Sequence, residues 1–118
     1  MITEGASDLQ ISISGSKSES NRALILQAFA SDRIVIENLS DSDDTRALIQ
    51  ALELAHESSS LSSSAEIKID CGHAGSTFRF LAAYFAGLAG KEIILTGSEQ
   101  LQQRPMAPLI SALQAMGA

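Results

Sequence analysis

The sequence predicts an α/β to α+β fold built of repeated strand–helix units, with helices layered on a sheet. Two observations carry this. Short runs alternate apolar and polar residues with the period of a strand, and each run breaks at a turn followed by an apolar stretch of helical length. Leu9, Ile11 and Ile13 alternate with Gln10, Ser12 and Ser14 as a first strand, which Gly15 and Ser16 end. Ala23 to Ala30 is apolar on nearly every face, the pattern of a well-buried helix. Arg33 to Glu37 reads as a second strand running into the polar stretch Asn38–Asp44. Beyond it, Ala47, Leu48, Ala51, Leu52 and Ala55 form one helical stripe. Ser58 to Ser64, six serines around Leu61, reads as a surface loop.

The pattern then repeats. Glu66 to Asp70 alternates as a strand, Cys71–Gly75 is a glycine-containing turn, and Phe78, Leu81, Phe85 and Leu88 mark a third helix. Tyr84 and the phenylalanines read as core. Lys91 to Leu95 is a fourth strand, Pro105 suits the first turn of a fourth helix, and Gly117 would cap it. Each unit carries an arginine near the start of its helix: Arg22, Arg46, Arg79 and Arg104. Parallel helices would gather their N-termini on one side, where the helix dipoles and unpaired N–H groups favour anions.

A chain of 118 residues is one domain or a piece of something larger. Its net charge of −6 argues against nucleic acid or an anionic membrane surface as partner. The single cysteine, Cys71, allows neither an internal disulfide nor a cysteine-built zinc site, and it reads as a small buried hydrophobe. No apolar run has the length of a membrane span, and Met1 to Leu9 lacks a signal-peptide pattern. A soluble, cytoplasmic protein is expected.

Four segments have the chemistry of a site. In Gly15-Ser16-Lys17-Ser18-Glu19-Ser20-Asn21-Arg22, the spacing of Ser16 and Glu19 fits a capping box. Equally, Lys17, Ser18 and Arg22 could hold a phosphate or carboxylate at a helix N-terminus, with Ser18 and Arg22 on one face. The glycine spacing of a nucleotide-binding P-loop is absent. In Ser42-Asp43-Asp44-Thr45-Arg46, the acids complement a helix dipole or, less simply, form half of a metal site that lacks a third ligand. Gly72-His73-Ala74-Gly75-Ser76-Thr77-Phe78-Arg79 lets backbone N–H groups approach a ligand, or is only a tight turn. In Gln103-Arg104-Pro105-Met106, the proline fixes where Arg104 emerges, though an exposed arginine can be solvated surface alone.

Taken in order, these segments resemble the 5-enolpyruvylshikimate-3-phosphate synthase family, also called 3-phosphoshikimate 1-carboxyvinyltransferase. Gly15 to Leu24 resembles its N-terminal signature and Asp41-Ser-Asp-Asp-Thr-Arg46 its second motif. Ala74-Gly75-Ser76 with Arg79 resembles the glycine motif, and Leu95-Thr-Gly97 followed by Arg104-Pro105 the fourth. The resemblance implies transfer of the enolpyruvyl group of phosphoenolpyruvate to shikimate 3-phosphate with release of phosphate. That is a step toward chorismate and the aromatic amino acids, needing no metal or organic cofactor. It implies that Lys17, Ser18 and Arg22 contact shikimate 3-phosphate, and that Lys17, Gly75 and Arg104 contact phosphoenolpyruvate. Lys17 and Asp44 would be catalytic, with His73, Ser76 and Arg79 lining the cleft. The implied partners are these small anions alone, in a monomeric enzyme.

The implied architecture has two lobes of βαβαββ-type repeats, with parallel helices packed on mixed sheets. Residues 1–118 would be part of the N-terminal portion. Within them, 1–15 would be a strand and hinge associated with the second lobe, and 16–118 part of the first lobe. Such a fragment alone is expected to be inactive. His73 stands where the family commonly has asparagine, Ser76 where it has threonine and Phe80 where it has proline. Two other readings fit some of these residues: the sister enzyme acting on UDP-N-acetylglucosamine, and a non-catalytic anion-binding domain. The sister enzyme's hallmark cysteine lies in a loop well downstream, whereas Cys71 is embedded in the glycine motif.

Overall fold

Helix signals in the sequence become five helices and a small sheet in the computed structural model, which describes residues 8–31, 33–60, 66–88 and 90–118. The order is α1 (Lys17–Phe29), α2 (Asp43–Ser60), β1 (Ile67–Asp70), α3 (Gly75–Ala86), β2 (Ile93–Thr96), α4 (Glu99–Gln102) and α5 (Ala107–Ala115). β1 and β2 pair in parallel, with Ile67 opposite Ile93 and Asp70 opposite Thr96. Parallel strands need a crossover, and α3 supplies it.

α1, α2 and α3 pack against one another and run in the same direction. At their N-terminal ends, Lys17 of α1 pairs with Asp44 of α2, and Thr77 of α3 bonds the Asp44 carbonyl. At their C-terminal ends, the rings of Phe29 and Tyr84 meet edge to face with centroids 4.9 Å apart. A cavity of about 630 Å³ lies between these C-terminal halves, lined by Leu24, Ile49, Leu52 and Tyr84 among others. The core joins the helices to the sheet: Leu24, Leu48, Ala51, Leu81, Phe85, Ile67, Ile69, Cys71 and Leu101 are all buried. The stripe read on the second helix is this buried face, with Leu48, Ala51 and Ala55 inside and Ala47 and Leu52 at its margin.

Several expectations need correction. Leu9–Ile13 and Arg33–Glu37 form no strand, because neither finds a partner among the described residues; a strand-like sequence makes a strand only where a neighbouring backbone accepts its hydrogen bonds. Most of their apolar side chains stay open, Ile13 at 81% and Val35 at 85% exposure, while Ile36 packs against the core. α1 is less buried than its composition suggests: Leu26 is 60% exposed, and Phe29, covered only in part by Tyr84 of α3, is 61% exposed. Phe29 is accordingly not core, and Leu88 lies beyond the end of α3. Ser58–Ser60 continue α2 instead of opening a loop, while Leu61 to Ser64 lie outside the described residues.

Pro105 does not start a helix. The short helix α4, capped by Ser98, precedes it, and Pro108 occupies the first turn of α5. Gly117 does end α5, at φ +98°, with its N–H on the Gln114 carbonyl and that of Ala118 on Leu113. Gly15 is set by close approach: a Cβ there would overlap the carbonyl oxygen of Asn38, so two backbones rest directly on each other. No helix among the described residues is long and apolar enough to cross a membrane.

Leu48, fully buried where α2 meets the core, is the test of this packing. Leu48→Ala is expected to destabilise the fold by about 3 kcal/mol in urea denaturation followed by circular dichroism, the usual cost of a cavity that cannot collapse.

Candidate functional site

The three parallel helices bring their first turns to one place, and side chains of those turns tie them together. Ser16 caps α1, accepting from the Glu19 N–H at 3.4 Å, so half of the expected capping box forms. Lys17 Nζ lies 3.5 Å from Asp44 Oδ2, with the lysine half exposed and the aspartate mostly covered. Ser18 and Arg22 are exposed on α1. Ser42 begins α2, its Oγ accepting from the Thr45 N–H at 3.3 Å and its carbonyl from Arg46 N–H at 3.0 Å.

Beneath this surface runs a chain of hydroxyls that sequence reading missed. The Thr45 hydroxyl donates to Asn21 Oδ1 at 2.8 Å, joining α2 to α1. Thr45 has only that one hydroxyl proton, so Ser42 Oγ is the donor in its 3.0 Å contact with Thr45 Oγ1. Ser20 Oγ accepts the Ser40 N–H at 2.9 Å, and Thr77 Oγ1 donates to the Asp44 carbonyl at 2.7 Å. The available signal was positional. Asn21, Thr45 and Thr77 each sit one turn before a core leucine (Leu24, Leu48, Leu81), on the buried stripe.

The turn after β1 leads into α3 without a side-chain cap and with no acid in the first turn, unlike α1 and α2. Two guanidinium groups converge there. A Cβ on Gly75 would lie 2.5 Å from Arg104 Nη1 and 3.4 Å from Arg79 Nη1, so only glycine leaves this space open. Arg104 comes from the connection between α4 and α5, which starts at the end of β2. The ladder continues past the strands to hold both connections: Cys71 N–H bonds the Thr96 carbonyl and Ser98 N–H the Gly72 carbonyl, each at 2.8 Å. An uncapped helix N-terminus with two arginines and an absent side chain favours an oxyanion.

Of the site residues read from the sequence, two groups form: Lys17 with Asp44, and Gly75 with Arg79 and Arg104. Thr77 links them. His73 and Ser76 are exposed beside the Gly75 turn, while Arg46 is exposed on α2. Among the described residues no three acids, histidines or cysteines gather as metal ligands. Cys71 is buried as expected, and burial, helped by the charge of Asp70, pushes its thiol from 9.0 up to about 11.

The family model for EPSP synthase (3-phosphoshikimate 1-carboxyvinyltransferase) matches residues 4–118. The chain belongs to the EPSP synthase family. It is 43% identical over 108 residues to the 3-phosphoshikimate 1-carboxyvinyltransferase of Bacteroides fragilis strain YCH46, covering 92% of this chain and 24% of that protein. It is 37% identical to the Enterobacter sp. strain 638 enzyme of the same name, covering 94% and 30%. With the Aliivibrio salmonicida enzyme the identity is 38%, covering 94% and 30%. The chain thus spans about a quarter to a third of the length of these EPSP synthase relatives. No solved structure matches it.

Two outcomes test this geometry. Gly75→Ala displaces the end of a flexible side chain, so it is expected to change urea stability by less than about 1 kcal/mol while shifting the Arg104 Nε–H resonance in NMR spectra. At pH 8 the Cys71 thiol is expected to react with an alkylating reagent roughly 100-fold more slowly in the folded chain than in urea, because little thiolate forms. The folded thiol holds its proton above the unfolded value, so its contribution is full below pH 9 and lost as pH rises toward 11.

Proposed function

We propose that the protein containing this chain transfers the 1-carboxyvinyl group of phosphoenolpyruvate to shikimate 3-phosphate and releases phosphate, on the route to chorismate and aromatic amino acids. The observation that carries the reading is the family match over residues 4–118, within which the four sequence motifs fall in order. The geometry supports it, because both substrates are anions and the chain concentrates cationic groups at helix N-termini despite its net charge of −6.

In this reading Arg104, the Gly75 turn and Lys17 hold phosphoenolpyruvate, with Arg79 alongside. Arginine forks suit its carboxylate and phosphate oxygens, and the open N–H groups of α3 add to them. Ser18 and Arg22, on the exposed side of α1, take shikimate 3-phosphate. Lys17 stands between the substrates as a point charge, and Asp44 orients it. The methylene carbon of the enol is protonated, the shikimate hydroxyl attacks the cation-like centre and gives up its proton, and the tetrahedral adduct loses phosphate and one methyl proton to restore the vinyl group. The chain's share is positioning and charge stabilisation. His73 and Ser76 line the same cleft.

The finer architecture is proposed with it. Residues 16–118 form part of one lobe of βαβαββ-type repeats. Residues 1–15 supply a strand and hinge for the other lobe, consistent with the open, alternating Leu9, Ile11 and Ile13. The substrates suffice as partners in a monomeric, cytoplasmic enzyme.

The test is phosphate release by the whole protein given both substrates, with UDP-N-acetylglucosamine as the competing acceptor. Turnover is expected with shikimate 3-phosphate only, and Lys17→Met is expected to lower kcat/KM by about 100-fold or more. Residues 1–118 alone are expected to release no phosphate. Turnover with the sugar nucleotide instead would overturn the reading.

A further inference from the structure

We propose that Asn21, Thr45 and Thr77 are positioning residues. Without touching substrate, they set the separation of Lys17, Asp44 and the Gly75 turn. This rests on the functional reading above. The Lys17–Asp44 pair spans the first turns of α1 and α2, but its lysine is 51% exposed, and pairs so open to water hold their partners weakly. Something else must fix the distance.

The buried hydrogen bond does so. Lys17 and Asn21 are four residues apart, on one face of α1, and Asp44 and Thr45 are adjacent at the start of α2. The Thr45–Asn21 bond therefore lies one turn deeper than the ion pair and joins the same two helices. Asn21 is 1% exposed and Thr45 is 0% exposed, so water cannot substitute for either partner. Thr77, also fully buried and two residues past Gly75, bonds the backbone carbonyl of Asp44 itself. Asp44 is thus fixed from two sides, by its neighbour's hydroxyl to α1 and by its own carbonyl to α3.

Packing alone does not require these residue types. Each occupies a stripe position where an apolar side chain would bury without desolvating a polar group. Each instead makes a directional bond to a different helix. Hydrogen bonds of this kind tolerate little change in distance or angle, whereas apolar contacts slide. The three residues therefore specify how the helix ends stand relative to one another, which is what two anions held for reaction demand.

The experiment uses the whole protein with phosphoenolpyruvate and shikimate 3-phosphate. Thr45→Val keeps the shape and removes the donor, while Thr45→Ser keeps the donor. Thr45→Val is expected to lower kcat, per folded molecule, about tenfold or more, and Thr45→Ser to stay within about threefold of wild type. Ile69→Val, a core truncation in β1, serves as the control that lowers the melting temperature without changing kcat. A Thr45→Val protein that melts lower but keeps wild-type kcat would overturn the proposal. If that variant does not fold, Thr77→Val against Thr77→Ser applies the same test from the α3 side. Wild-type protein without turnover would overturn the functional reading instead. The Asp44 carboxyl 13C resonance then decides the positioning role: a shift in Thr45→Val supports it, and none overturns it.

Discussion

Three helix N-termini meeting in one place is the constraint around which the rest of the chain is arranged. Each N-terminus carries about half a positive charge and several unpaired N–H groups, so bringing three together is unfavourable unless something compensates. α1 and α2 carry their own compensation, in Ser16 and Glu19 and in Ser42, Asp43 and Asp44. α3 carries none, and Arg79 and Arg104 add to its positive end. The potential left over is therefore concentrated at a single turn, in a chain that is acidic as a whole.

The sheet determines where that turn stands. Beyond the carboxyl ends of β1 and β2 lie the connections that carry Gly75 and lead to Arg104, and ligands of parallel sheets commonly bind at such ends. Two backbone bonds past the last paired residues keep these connections side by side. The arginine that arrives from α4 thus reaches the glycine that opens α3, although they are distant in sequence.

Much of this was legible in the residues. The period of α2, the stripe of α3 and the alternation before Cys71 report burial directly, because one face of each is wet and the other dry. The motif order singled out Lys17 and Asp44, which stand 3.5 Å apart, and Gly75, Arg79 and Arg104, which meet at one turn. What failed was relational. Leu9–Ile13 alternates and Arg33–Glu37 holds a β-branched run, but a strand belongs to a pair, and pairing is not written in either segment. Leu26 and Phe29 are apolar yet largely exposed, since composition reports affinity for a neighbour and not how much of the side chain it covers. Asn21, Thr45 and Thr77 were overlooked because hydropathy treats a polar residue as the end of a stripe, while here the stripe continues through them. Pro105 and Pro108 are close enough for either to begin the last helix, and it is Pro108 that does.

The contact between Gly15 and the chain at Asn38 has a consequence for how this segment can vary. Every other amino acid carries the carbon that the Asn38 oxygen excludes, so position 15 admits no conservative replacement. Nor can a second change at residue 38 act as a suppressor: the blocking atom belongs to the main chain, and any residue placed there brings the same oxygen. Escape requires re-routing the connection between α1 and α2, an insertion or deletion in place of a substitution. The lysine two residues later therefore sits behind a position that point mutation can damage but not repair from across the contact.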